Sequence, residues 1–247
     1  MTTDGGGSPA AEFARIARAE GRGALATVVG PPDHPHLGRK LLVREDGSDL
    51  GALGDGALDD AARSSCEELL WSERSELREL AGAEVFVDVV APPPRLVILG
   101  AVDYAAAFCR LAGAAGWRFP DAEEIVVAWP DEAFARLGID RATYIAILTH
   151  DPKLDDAALQ IALRSDAAYV GAMGSRRAEA RRRGRLTEAG MSVEELDRIA
   201  APIGLDLGAT SPEETALSIL AEVVAVRNGH EGGRLGGVAG RIHEVGA

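Results

Sequence analysis

Cysteine is almost missing from this 247-residue chain, with Cys66 and Cys109 the whole complement. Two thiols make no disulfide framework, which excludes the small stapled secreted folds and leaves a reducing cytoplasm as the expected compartment. Both fall in stretches that read as helix, where a thiol is a small buried residue. Positive charge is also scarce: 26 Lys and Arg against 39 Asp and Glu leave a formal net charge of −13. A broad basic surface for nucleic acid is thereby excluded. No apolar run approaches the roughly 20 residues that span a bilayer, so no membrane partner is expected. The start, Met1 to Ser8, lacks the basic and apolar regions of a secretory signal. HExxH, CxxC, Walker A and G-x-S-x-G are all missing.

What is present reads as an ordinary globular composition, with room for one large or two modest domains. Pro92-Pro93-Pro94 can neither continue a helix nor donate to a ladder, and so marks a linker. Residues 9–91 read as a small α+β domain, 95–228 as a second domain and 229–247 as a glycine-rich flexible tail. In the first, helices are expected over Ala10–Glu20 and Leu58–Leu70, and strands over Ala24–Val29, Arg39–Val43 and Glu84–Val90. Asp46-Gly47 signals a hairpin turn. The run Gly51 to Ala57 is open to two readings, a ligand-approaching loop or a tight connection. His34-Pro35-His36 is a surface loop or a metal-catching pair.

Beyond the prolines the pattern alternates. Strands are expected over Arg95–Gly100, Glu124–Val127, Thr143–Leu148 and Ala167–Val170, with helices such as Tyr104–Ala115 and Asp156–Arg164 between them. Apolar strands alternating with helices predict a doubly wound, Rossmann-like parallel sheet covered on both faces. Ser192-Val193-Glu194-Glu195 and Ser211-Pro212-Glu213-Glu214 are capping-box sequences that open helices, the latter running to about Arg227.

Such a sheet binds ligands beyond the carboxyl ends of its strands, and three polar clusters fall there. The first turn keeps one glycine of the dinucleotide fingerprint, Gly100, with Val102 and Ala105 in the other two places and Asp103 adding negative charge. That favours a sheet with no tight dinucleotide site at this turn. The second cluster, Thr149-His150-Asp151-Pro152-Lys153, could bind a polar heterocycle, move protons or simply cap a turn. The third, Gly171-Ala172-Met173-Gly174-Ser175-Arg176, opens a stretch in which six of the ten residues from Arg176 to Arg185 are arginine. Backbone N–H groups, a hydroxyl and guanidinium groups in that order suit an oxyanion; a solvated basic helix face is the plainer alternative. Asp206, the only charge in Pro202–Ala209, caps backbone or faces the site. An acidic second strand about 20 residues after the first turn is also expected. Arg118 instead meets Phe119 with no room for it, as though a segment were missing there.

These ordered motifs resemble the xanthine dehydrogenase accessory family, the XdhC/CoxI group. The likeness is carried by Thr149–Lys153, Tyr169–Arg176, Pro202–Gly208 and Thr210–Ala216, and more loosely by Gly51–Asp59. The resemblance implies a cytoplasmic accessory protein that carries the molybdenum cofactor (molybdopterin) as cargo. It implies help with sulfuration and insertion into a xanthine dehydrogenase-type molybdenum hydroxylase, with a cysteine desulfurase as possible sulfur donor and a homodimeric state. The cofactor-binding set it suggests is Gly100, Asp103, Thr149, His150, Asp151, Lys153, Gly171, Gly174, Ser175, Arg176 and Asp206, with no catalytic residue and no resident metal. An NAD(P)-dependent oxidoreductase on the same sheet is the rival reading. Two departures stand out: the family's Gly-Ala-Gly-His turn is Gly100-Ala101-Val102-Asp103 here, and its cysteine after the first glycine loop is replaced by Ala57.

Overall fold

The computed structural model describes residues 7–100, 103–117 and 126–237. They fall into two compact units, divided between Pro92 and Pro93.

The first unit is a five-stranded antiparallel sheet with a helix on each face. Its strands are β1 (Gly23–Gly30), β2 (Lys40–Arg44), β3 (Asp49–Ala52), β4 (Glu76–Leu80) and β5 (Ala83–Val90), in the order β3-β2-β1-β5-β4. Alternate residues face opposite ways along a strand. Ala24, Ala26, Val28, Leu41 and Val43 therefore pack with Leu58, Ala62, Cys66 and Leu69 of α2 (Gly56–Ser72). Leu25 and Leu42 turn to Ile16 of α1 (Pro9–Arg18). Asp46-Gly47 closes the β2–β3 hairpin as expected, where the Asp46 carboxylate accepts the Ser48 N–H at 2.9 Å. β3 and β4 carry no sequence signal, since both are short and β4 reads Glu-Leu-Arg-Glu-Leu. They exist by pairing with β2 and β5. The β4–β5 turn is Ala81-Gly82 with both φ positive, 47° and 84°, the twist that a two-residue hairpin favours.

The second unit is a parallel sheet in the order β6-β7-β8-β9: β6 (Arg95–Leu99), β7 (Thr143–Ile147), β8 (Tyr169–Ala172) and β9 (Ile199–Ala200). One face, through Leu96, Tyr144, Ala146 and Tyr169, packs on α3 (Asp103–Ala114) and α8 (Pro212–Arg227) by Phe108, Ala112, Ile219 and Val223. The other, through Ile145, Ile147, Val170 and Ala172, meets four helices: α4 (Pro130–Leu137), α5 (Pro152–Arg164), α6 (Arg176–Glu188) and α7 (Val193–Leu196). Helices on both faces make the sheet doubly wound, which is why β7 is buried at every position. Both capping boxes form, at Ser192 with Glu195 and at Ser211 with Glu214.

Three expectations need correction or fall elsewhere. Of the strand expected over Glu124–Val127, Glu124 and Ile125 lie outside the described residues. Val126 and Val127 are not strand, and Val127 is 94% exposed, with no neighbouring strand to pair with among the described residues. The strand expected over Ala167–Val170 runs two residues later, because its parallel register sets Tyr169 beside Tyr144 and Ala172 beside Ile147. Gly171 is thus inside β8 and not in the turn beyond it. The Arg118–Phe119 junction and residues 238–247 of the tail lie outside the described residues.

Gly171 serves packing. A Cβ there would stand 2.5 Å from both Ile203 Cδ1 and Tyr169 Oη. The phenol is held in place by donating to Glu222, which also accepts the Gly204 N–H at 2.7 Å. Gly171→Ala is therefore expected to cost about 1–3 kcal/mol by overpacking, read as a lower urea midpoint with unchanged m value. A neutral substitution would show that Ile203 yields freely.

Candidate functional site

Parallel pairing brings the carboxyl ends of β6, β7 and β8 to one edge. Leu148 donates its N–H to the Leu99 carbonyl at 2.9 Å, and Met173 donates to the Ile147 carbonyl at 2.8 Å. Gly100 follows β6 with φ +115°, and a Cβ on it would lie 3.2 Å from Thr149 N and Cγ2. Only glycine suits both that torsion and that approach. The turns at Gly100, Thr149 and Met173–Gly174 are thus neighbours, as the topology predicts.

Each expected residue can now be placed. Asp151 is the N-cap of α5, its carboxylate accepting the Lys153 N–H at 2.9 Å. Ser175 is the N-cap of α6 and accepts the Ala178 N–H at 3.2 Å. Gly174, at φ +148°, turns the chain into that helix. His150, Lys153 and Arg176 are exposed, and their side chains make no hydrogen bond or ion pair among the described residues. Asp103 is exposed in the first turn of α3, where it complements the helix dipole. Asp206 is exposed and caps no described backbone group, so the capping reading of it fails. Gly171, as shown above, belongs to the core.

The arginine run divides in two. Arg182, Arg183 and Arg185 are structural. Arg185 grips Asp156 through two bonds of 2.6 and 2.8 Å, and Arg183 reaches the Leu196 carbonyl at 2.9 Å and Asp197 at 2.5 Å. Arg182 is buried and donates to the Met173 carbonyl at 2.7 Å and to Glu179 at 2.5 Å, with Asp155 at 3.6 Å. Arg176, Arg177 and Arg181 point to solvent. Arg176, the arginine of the expected Gly174-Ser175-Arg176 cradle, is therefore among the exposed members of the run.

Sequence reasoning missed Asp155. It is buried, and it accepts the Thr149 hydroxyl at 2.5 Å. Burial pushes its carboxyl above the usual range, against the opposing pull of the Thr149 hydrogen bond and of Arg182. A signal for it existed: Asp155 stands three and four positions before Ala158 and Leu159, on the apolar stripe of α5.

Neither cysteine belongs to this edge. Cys66 lies in the core of the first unit, where burial pushes its thiol up to about 12. Burial also raises that of Cys109, on α3. Both are poor thiolates. A cleft of about 430 Å³ in the first unit is lined by Arg15, Arg22, Arg44 and Glu45. Its arginines are already engaged: Arg22 holds the Leu70 carbonyl and Glu73, while Arg15 and Arg44 share Glu12.

Comparison with known proteins bears on this geometry. Residues 96–223 match the XdhC Rossmann domain, and residues 16–81 match the XdhC and CoxI family. The chain is 38% identical over 136 residues to the molybdenum cofactor insertion chaperone PaoD of Escherichia coli (strain K12), covering 55% of this chain and 41% of that protein. It is 26% identical over 158 residues to a protein of Bacillus subtilis (strain 168) described as a probable xanthine dehydrogenase subunit, covering 58% and 46%. It thus spans less than half the length of these relatives. A crystal structure described as a xanthine dehydrogenase from Bacillus halodurans shares the fold, with a TM-score of 0.50 at 17% identity, covering 94% of this chain and 98% of that one. The Rossmann-domain match alone takes in half of the sequence, and the chain belongs to the XdhC and CoxI family.

Proposed function

We propose that this protein is an accessory factor that holds the molybdenum cofactor at the carboxyl edge of its parallel sheet and passes it to a xanthine dehydrogenase-type molybdenum hydroxylase. One observation carries the reading: His150, Lys153 and Arg176 stand at the turns of one sheet edge with polar ends that no described residue engages. A pterin bearing a phosphate needs cations for the phosphate and polar groups along the heterocycle. Arg176, with the first amides of α6, suits the former. His150, Lys153 and Thr149 suit the latter. Family membership and the role of the PaoD relative, a molybdenum cofactor insertion chaperone, support the same reading.

The residues favour holding over transformation. The Ser175 oxygen is engaged as a helix cap, Cys66 is buried in the first unit and Cys109 is half-buried on α3, so neither a hydroxyl nor a thiol is set up here for covalent capture of the cargo. Sulfur for the cofactor then comes from a separate donor such as a cysteine desulfurase, and the factor works in the cytoplasm as a homodimer. NAD(P) is disfavoured by the negative charge of Asp103 beside the first turn.

The test is a reconstitution. Added protein is expected to raise the activity of cofactor-free hydroxylase mixed with molybdenum cofactor. By itself it should move no hydride from NADH or NADPH to candidate acceptors. Multiple-turnover oxidation of either nicotinamide by the purified chain, abolished by His150→Ala, would overturn the carrier reading in favour of an oxidoreductase.

A further inference from the structure

Thr149 is the second residue beyond β7, and its hydroxyl is engaged on two sides. It donates to Asp155 Oδ1 at 2.5 Å and accepts the Asp151 N–H at 3.2 Å. A carboxylate only accepts, so the one hydroxyl hydrogen must lie on the Asp155 side. What remains for a ligand is a lone pair. Asp155 is held in turn by Arg182, whose Nη2 lies 3.6 Å from Oδ2, with side-chain exposures of 5% for Arg182 and 6% for Asp155. Arg182 is anchored by its bonds to the Met173 carbonyl and to Glu179. Its Nη2 would lie 3.6 Å from a Cβ built on Gly174, and its buried Nε has no hydrogen-bond partner among the described residues. Buried charge is expensive to keep inside a fold. Here it joins the turn after β7 to the turn after β8.

We infer that Asp155, held by Arg182, is a positioning residue that fixes Thr149 as a hydrogen-bond acceptor and makes this edge select a heterocycle presenting an exocyclic amino donor over one presenting a carbonyl in its place. The inference rests on the reading that a pterin-type ring binds at this edge. It goes further by stating the polarity of one contact and the residue that sets it. In Asp155→Asn the amide oxygen turns to the Arg182 guanidinium, and the amide NH2 faces Thr149. The threonine then becomes the acceptor inside the pair, and its hydrogen is free to be donated outward.

The probes are pterin (2-amino-4-oxopteridine) and lumazine (2,4-dioxopteridine), which differ at C2, an amino donor in the first and a carbonyl acceptor in the second, with N1 carrying a hydrogen only in lumazine. In fluorescence titrations of the full chain, pterin is expected to bind roughly tenfold more tightly than lumazine. Asp155→Asn should bring that ratio to parity or invert it, whereas a purely structural role would weaken both alike. Thr149→Val, close in shape but without the hydroxyl, should also lose the discrimination. Equal binding of the two rings by the unmodified chain, or a ratio untouched by Asp155→Asn, overturns the inference. Should the folded chain bind neither ring, the pterin reading itself falls. The polarity that Asp155 gives the Thr149 hydroxyl is then decided separately, without ligand, by NMR of its proton. Protection from solvent exchange that is lost in Asp155→Asn sustains that polarity, and fast exchange in the unmodified chain sinks it together with the inference.

Discussion

Arg182→Ala is expected to lower the stability of the folded chain by about 3–5 kcal/mol, the usual cost of removing one partner from a buried ion pair. Arg182 sits between Asp155 and Glu179, both nearly buried, and supplies the hydrogen bond that holds the Met173 carbonyl. Without it Asp155 and Glu179 lose the cation they share in a poorly solvated space. Burial already raises the Asp155 carboxyl, so proton uptake there is the natural relief. The unfolded Asp155 releases its proton at a lower pH than the folded one. This variant should therefore lose stability as pH climbs through that interval and recover part of it in mild acid. Urea unfolding at two pH values reads both effects. A loss under about 1 kcal/mol, typical of an exposed surface change, would mean that Arg182 is more solvated than its position implies.

Arg176→Ala is expected to do the opposite: little to stability, much to binding. Arg176 opens α6 at its exposed start and holds no described partner. The affinity for a phosphate-bearing pterin should fall at least about tenfold, the loss of one charge-assisted contact. Titration calorimetry on the folded variant is the measurement. Unchanged affinity would return Arg176 to the solvated face of a basic helix. Together the two substitutions test whether an arginine run that looks uniform in the sequence divides into members paired within the fold and members left for a ligand.

Local order and periodicity were enough to determine a good deal. Apolar strands at Arg95–Leu99 and Thr143–Ile147 alternating with amphipathic helices specify a parallel sheet wrapped on both faces. Capping at Ser192 and Ser211 is equally local, because the acceptor and donor lie three residues apart. The same order sends the turns at Gly100 and Thr149 to one edge, since parallel strands end on the same side.

Only the tertiary structure could decide which polar groups are free. Six neighbouring arginines have identical chemistry, and what separates Arg182 from Arg176 is that Asp155, on another helix, waits opposite the one and nothing described waits opposite the other. β3 and β4 exist because neighbouring strands offer them ladders, a stabilisation that no property of Glu-Leu-Arg-Glu-Leu reveals. Gly171 reads as part of a ligand loop until Ile203 and Tyr169 are seen to occupy the space of its missing side chain. Burial and charge pairing are properties of contacts between distant parts of the chain. The sequence states which groups are available for them, and packing assigns the partners.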